Sequence, residues 1–521
     1  MADDDSGDIL KILVATDNHV GYVCEKDGVR GDDSFLAFEE VLKIAKREGV
    51  DFILLGGDLF HENHPSRSSM VMEMLRRHCI GDGDINFRVV SDPKRTFVTG
   101  EAFPCANYED PNYNVAMPVF SIHGNHDDPS RDGARHSLAA ADILAMANLV
   151  NYFGKSERVD EVDISPVLVE KGATKVAIFG LGSMRDERLN RMFHQGKVKF
   201  KRPSEDEAEW FNTFVIHQNR NDTGRGSQNC IPETALPKFL DLVVWGHEHE
   251  CLIDPVRGSD DGPYVMQPGS SVATSLIESE AVEKHVGVLE IKGRDFRVRG
   301  VKLEMVRPFL LKEVALSEFP ELDPSDPRAK EAVLAVLERL VEEMLAKVEP
   351  TVREFESDPE RAPLHLPLLR LKVDHTGFPV INNQRFGSKF VSRVANPSDI
   401  LLCHKRSRRA AGGGAKAAAA GAGIGAELEP DALDQVGVHV EELVAKCLAD
   451  AHNELDILPE PSITSALKKY VDSSDLHAIE TYIEERLRKV QRSLDKEKKL
   501  DKPADMIAFV KKNTDKERRE L

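Results

Sequence analysis

Five polar clusters recur along the first half of the chain, and each is built from residue types that bind metal ions. They are Asp17, Asn18 and His19; Asp58 and His61 behind Gly56 and Gly57; Asn125, His126 and Asp127 behind Gly124; His217; and His247, Glu248 and His249 behind Gly246. One such cluster alone occurs by chance, and a lone histidine after an apolar run is more often a packed core or surface residue. All five in this order point to hydrolysis of a phosphodiester. That reaction needs a water made nucleophilic near neutral pH and compensation for charge gathering on phosphorus, and two cations ~3.5–4 Å apart supply both. A bridging carboxylate holds such a pair, and Asp58, at the glycine-lined end of a strand, is the candidate bridge. Asp17, His19 and His249 complete one metal position; Asn125, His217 and His247 complete the other. His247 and His249, two residues apart, suit an extended loop whose alternate side chains reach adjacent ions. Mixed imidazole and carboxylate ligands favour Mn²⁺, Fe²⁺ or Zn²⁺ over Mg²⁺. His126 points away from the ions if Asn125 points towards them, which suits it as general acid to the leaving oxygen or as a cap on a following helix. His61 is placed to orient the phosphate or His126. His123, in an apolar run, reads as structural.

The elements that must position these residues are legible as short apolar runs at 12–15, 52–55, 119–122, 176–179, 213–216 and 242–244. Such runs, alternating with amphipathic helices, predict buried strands of an α/β domain. All but 176–179 lead directly into a polar cluster, which is where α/β enzymes place their chemistry. A hairpin over 283–299 closes this domain, expected to span 1–305. A helix from about 328 to 348 and a strand at 368–373 predict a small α+β domain over 306–409. Residues 410–432 contain AAGGGAKAAAAGAGIGA and read as a flexible linker. Two amphipathic helices at roughly 436–453 and 474–494 fall in a segment 433–495, followed by a mixed-charge tail 496–521. The polar stretch 81–117 is expected to be a long loop, disordered or functional.

Composition sets the outer limits. The 521 residues carry a formal charge of −20, which argues against a simple DNA-coating protein, so affinity for nucleic acid must come from patches, metals or partners. Seven cysteines without a CxxC pair fit reduced intracellular thiols. No apolar stretch of membrane-spanning length and no secretory h-region is evident. The run HKRSRR at 404–409 could touch phosphates, serve nuclear import or be a plain solvated surface.

The segments FHENHPS, SIHGNHDDP, HQNR, VVWGHEHEC and QPGSSVATSL closely resemble the nuclease subunit family of the eukaryotic MRN/MRX double-strand-break repair complex, within the calcineurin-like metallophosphoesterases. LLRLKV and FGSKFVSRVANPSDI resemble that family's DNA-capping domain. The similarity spans about 10–410 and again 436–494. It implies a metallophosphoesterase β-sandwich flanked by helices, with a capping domain and a C-terminal helical pair. The implied ligands are the seven named above, with His126 and His61 as catalytic histidines. The resemblance further implies two Mn²⁺ per chain, 3′–5′ exonuclease action on duplex ends, endonuclease action on single strands and a nuclear location. The implied partners are a Rad-fifty-type coiled-coil ATPase gripped by 436–494, a nibrin-type subunit at 81–117, and a second copy of the chain through 70–75 and 139–149. Protein phosphatases of this fold carry GDxVDRG where this chain has GDLFHEN, so their phosphate-binding Arg is missing. A catalytically silent DNA-bridging scaffold is the other alternative.

Overall fold

The computed structural model describes residues 5–405, apart from 67–70, 130–137, 157, 159, 204, 221–225, 259–260 and 380. The linker, the helical segment at 433–495 and the tail lie outside the described residues, as do Met70 and most of the basic run at 404–409.

Two mixed sheets lie face to face. The first has the order Asp295–Lys302, His285–Lys292, Leu10–Ala15, Phe52–Gly56, Val119–Ile122, Asn151–Tyr152. The second has the order Leu252–Arg257, Tyr264–Gln267, Leu242–Gly246, Trp210–His217, Thr174–Leu181, Val167–Lys171, Arg88–Val89. The two-residue side-chain period decides the layering. In the first strand Leu10, Ile12 and Val14 point into the core between the sheets, with Phe211, Val215, Leu242 and Val244 opposite. Leu13 and Ala15 point outward onto Phe38, Val41 and Ala45 of the helix Asp33–Glu48. On the far side Phe179, Phe214 and Trp245 cover Leu189 and Met192 of the helix Asp186–His194. Buried on both faces, the central strands are largely apolar, with Ser121, Asn212 and Thr213 as buried polar exceptions. The fold is thus the expected α/β sandwich flanked by helices.

The stretch 81–117 is mostly irregular, as a long loop would be, but it is packed against the sandwich and carries the short elements Arg88–Val89, Pro93–Thr96 and Asn107–Glu109. Phe87, Phe97 and Ala106 are buried in the core between the sheets, and Arg88–Val89 pairs with Val167–Lys171 as an edge strand. These apolar residues are too widely spaced to show a strand or helix period, so the sequence reads as loop while burial orders it.

Beyond Lys302, the strands Phe309–Ala315, Leu368–Asp374 and Leu401–His404 form a parallel sheet. The helix Ala329–Ser357 covers it through Val333, Leu337, Leu340, Val341 and Met344. This helix runs past the predicted end near 348 and through Pro350. The ring removes the N–H that would bond the Ala346 carbonyl and crowds that carbonyl, yet buried Phe355, with Arg361 over its ring, holds the last turn. Buried Arg307 ties the two parts together. It donates to both oxygens of Asp33 at 2.7 and 2.8 Å, and to the Leu366 and Val29 carbonyls. Ala273 of the sandwich packs against Leu368 and Ala395 beside it.

Candidate metal centre

Leu10–Ala15, Phe52–Gly56 and Val119–Ile122 run parallel in one sheet, and Trp210–His217 and Leu242–Gly246 run parallel in the other. Their carboxyl ends therefore bring all five clusters to one place. The backbone there is bent hard: Asp17, His19, Asp58 and His247 all have positive φ, at 51°, 45°, 48° and 79°. Left-handed geometry at four non-glycine residues stores strain that a functional site justifies. Two glycines make the close approach possible. A Cβ at Gly124 would lie 2.0 Å from Asp58 Oδ1, and one at Gly57 2.4 Å from His217 Nδ1.

The candidate ligands fall into two groups around Asp58. At one end His249 Nε2 lies 3.0 Å from His19 Nε2 and 3.6 Å from Asp17 Oδ1. At the other, Asn125 Oδ1 is 3.3 Å from His217 Nε2 and 2.7 Å from His247 Nδ1. Asp58 Oδ2 stands between them, 3.8 Å from His19 Nε2 and 3.3 Å from His217 Nε2. It is buried, and the polar groups facing it are those two imidazole nitrogens. A buried carboxylate is costly unless a charge or donor compensates it, and a cation is the partner such a set of carboxylate and imidazole groups suits.

The far nitrogen of three histidines supports the same reading. His217 Nδ1–H donates to Gly56 O at 2.8 Å, His247 Nε2–H to Asn219 Oδ1 at 2.9 Å, and His249 Nδ1–H to Glu280 Oε1 at 3.0 Å. Each bond turns the opposite, lone-pair nitrogen toward the cluster, as in metal sites generally.

Burial would push Asp58 up, yet His217, His19 and His126 hold its carboxyl well below the usual range. Asp17 is raised by burial in spite of His217 and His249. Burial would lower His217 and His249, but the carboxylates around them draw them up to about 10 and about 9. His19 is lowered by burial and by His249. The site is a set of acidic and imidazole groups that compete for protons among themselves.

His126 and His61 sit beside this cluster. Their rings stack at 4.9 Å, and His126 Nδ1–H donates to the His61 carbonyl at 2.8 Å. Burial and the neighbouring His126 lower His61 to about 4, so it stays neutral. Ligand atoms of His19, His61 and His126 also lie within 4.8 Å of one another, so proximity alone does not separate ligand from acid. The His126 backbone N–H donates to Asp58 Oδ1 at 2.8 Å, which leaves the side chain to be directed by His61 rather than by Asp58. His123 is buried under Tyr152, whose hydroxyl is 2.7 Å from its Nδ1, and burial lowers it to about 3. That is a structural histidine.

Three supporting residues escaped the reading by sequence. Asp127 accepts from the backbone of Gly124, Leu59 and Phe60, and so locks the second cluster to the third. Asn219 is held for His247 by Asp186, through bonds of 3.2 and 2.6 Å. Glu280 backs His249. The first two belong to the motifs GNHDD and HQNR, whereas nothing local marks Glu280.

Comparison with known proteins agrees with this architecture. Residues 10–251 match the calcineurin-like phosphoesterase family, and residues 296–470 match the Mre11 DNA-binding presumed domain. The double-strand break repair protein MRE11 of Mus musculus is 45% identical over 509 residues, covering 96% of this chain and 70% of that protein. The Homo sapiens protein of the same name is 44% identical over 511 residues, with 96% and 69% covered. For Arabidopsis thaliana the figures are 44% over 508 residues, with 95% and 66% covered. With the phosphoesterase sandwich, its clustered carboxylates and histidines and the second α+β unit in place, this chain belongs to the MRE11 family of double-strand break repair proteins.

Proposed function

We propose that this chain is a Mn²⁺-dependent DNA nuclease that trims duplex ends 3′ to 5′ and cuts single strands during double-strand-break repair. The observation that carries the proposal is Asp58 Oδ2, buried between two groups of inward-facing ligand atoms with imidazole nitrogens on either side of it. Asp17, His19 and His249 would hold one cation, Asn125, His217 and His247 a second, and Asp58 both. Cations bound there supply Lewis acidity to the phosphoryl oxygens and make water acidic enough to attack near neutral pH. The protein's own part is orientation and proton delivery. With Nδ1–H committed to the His61 carbonyl, His126 gains and gives its proton at Nε2. Neutral His61 stacked beside it makes His126 the residue of the pair placed to pass a proton to a leaving oxygen.

The assembly follows the family. The unit at 306–409 caps DNA, 433–495 grips a Rad-fifty-type coiled-coil ATPase, and 81–117 meets a nibrin-type subunit in the nucleus. A homodimer is supported by the short helix Ala140–Met146, which exposes Ile143 and Met146 by 52% and 57%. Met74 and Leu75, in the other expected interface stretch, are instead packed in the core of the same chain. No helix among the described residues is long and apolar enough to cross a membrane.

The test is cleavage of labelled duplex and single-stranded DNA with Mn²⁺ or Mg²⁺, alongside a phosphopeptide. Mn²⁺-dependent DNA cleavage with an intact phosphopeptide supports the proposal. Phosphopeptide hydrolysis alone makes the chain a phosphatase, and DNA binding without cleavage makes it a scaffold.

A further inference from the structure

We propose that Glu280, in the 3₁₀ turn Glu278–Glu280, is a positioning residue that sets the tautomer and aim of His249 towards a cation; this rests on the metal-dependent reading above. Glu280 lies 31 residues beyond His249 in the chain, and its side chain has no exposed surface.

The carboxylate is saturated from behind. Oε1 accepts from the Ser275 N–H at 2.9 Å and the Thr274 hydroxyl at 3.2 Å. Oε2 accepts from the Ser270 hydroxyl at 3.1 Å, the Thr274 N–H at 3.2 Å and Lys284 Nζ at 3.2 Å. Lys284 is itself only 2% exposed and also donates to Ser270 Oγ at 2.8 Å. A carboxylate offers about four lone-pair sites, so these five donors already satisfy it, and the sixth, His249 Nδ1–H, is not needed to keep the charge buried. What the sixth bond does is constrain the imidazole. In the neutral imidazole Nδ1 must carry the hydrogen, so Nε2, which faces Asp17 Oδ1 and His19 Nε2, is the nitrogen that offers its lone pair to a cation. A carboxylate behind a histidine ligand also raises its basicity, and loss of such a partner typically weakens metal binding ~10–100-fold.

The experiment is calorimetric titration of the full chain with Mn²⁺, together with the split of kcat from KM for DNA cleavage. Glu280→Gln leaves buried Lys284 without its counter-charge, so the double variant Glu280→Gln/Lys284→Met, which removes both charges, is measured beside it. The expected result for both is one ion weakened about 10–100-fold and the other unchanged, with KM for DNA unmoved at saturating metal. Glu280→Asp should recover part of the loss. A double variant that binds both ions like the wild type, whatever its melting temperature, overturns the assignment and leaves Glu280 a fastener of the loop 270–275. A wild-type chain that binds no Mn²⁺ overturns the metal reading itself, so the two failures are distinguishable.

Discussion

The two ends of the candidate metal centre use similar ligands but are supported differently. At the His249 end the imidazole rests on a buried carboxylate that is neutralised by Lys284 and roofed by four hydroxyl and amide groups. At the His247 end the support is the neutral amide of Asn219, and the facing ligand, Asn125, is a neutral amide too. A carboxylate makes a histidine a stronger donor than an amide does. The ends are therefore expected to differ in affinity, with the tighter ion held by Asp17, His19 and His249 and the looser one by Asn125, His217 and His247. Two ions of unequal affinity on one bridging carboxylate would load in sequence.

The most severe way to break the comparison is to remove what the ends share. Asp58→Asn should abolish measurable binding of both Mn²⁺ ions and all cleavage; two ions still bound near native affinity would reject Asp58 as the bridge. The second largest effect should come from a residue that belongs to neither end. His126→Asn should keep both ions and DNA binding while single-turnover cleavage falls ~10²–10⁴-fold, the range of general acid catalysis. Loss of an ion instead would make His126 a ligand.

Asn219→Ala sharpens the comparison directly. It should weaken the looser ion, by no more than the ~10–100-fold of a lost supporting partner, and leave the tighter ion alone. A two-site titration checks this, and weakening of the tighter ion would show that the ends are assigned the wrong way round. Protonation gives a smaller, graded effect. His217 at about 10 and His249 at about 9 hold protons at neutral pH, and a cation must displace them. Apparent Mn²⁺ affinity should therefore rise with pH from 6 towards 9, with proton release seen by calorimetry in two buffers. Protein stripped of metal should show the converse. These raised values stabilise it fully below the unfolded histidine pKa of about 6.5, and that contribution fades as pH climbs through 9 to 10. A flat affinity profile would contradict the protonated histidines.

The smallest effect concerns a residue between two ligands. Both polar side-chain atoms of Asn18 are buried and without a hydrogen bond among the described residues. Asn18→Leu, close in size, should raise stability by ~1–3 kcal/mol, the cost of an unsatisfied buried polar group. Both ions should be unaffected. Thermal unfolding measures it, and a destabilised variant would mean the amide has a partner.

Much of this candidate site is readable along the chain because its candidate ligands come from strand ends. The runs before Asp17, Asp58, Asn125, His217 and His247 are mostly apolar, broken only by single polar residues such as Thr16, Ser121 and Thr213, and a polar cluster follows each. Asp127 and Asn219 stand in those same motifs, yet their roles were invisible, since each acts on backbone or side chains far away in sequence. Helix ends were less legible still: Pro350 reads as a stop, and only buried Phe355 reveals that the turn continues. The packing of segment 81–117 was hidden for a related reason. Its buried residues follow no period, because they fill gaps in a core already built by other strands.

By itself, then, the sequence determined the α/β character, the order of the main strands along the chain and the chemical nature of the candidate ligands. These are properties of neighbouring residues and of the periods 2 and 3.6. Tertiary structure alone decided which strands share a sheet, that the carboxyl ends of two separate sheets meet at Asp58, and that Glu280 and Asn219 stand behind the histidines at either end. Those pairings join residues tens to hundreds of positions apart, whose contact is set by packing two sheets on one apolar core. No local pattern encodes them.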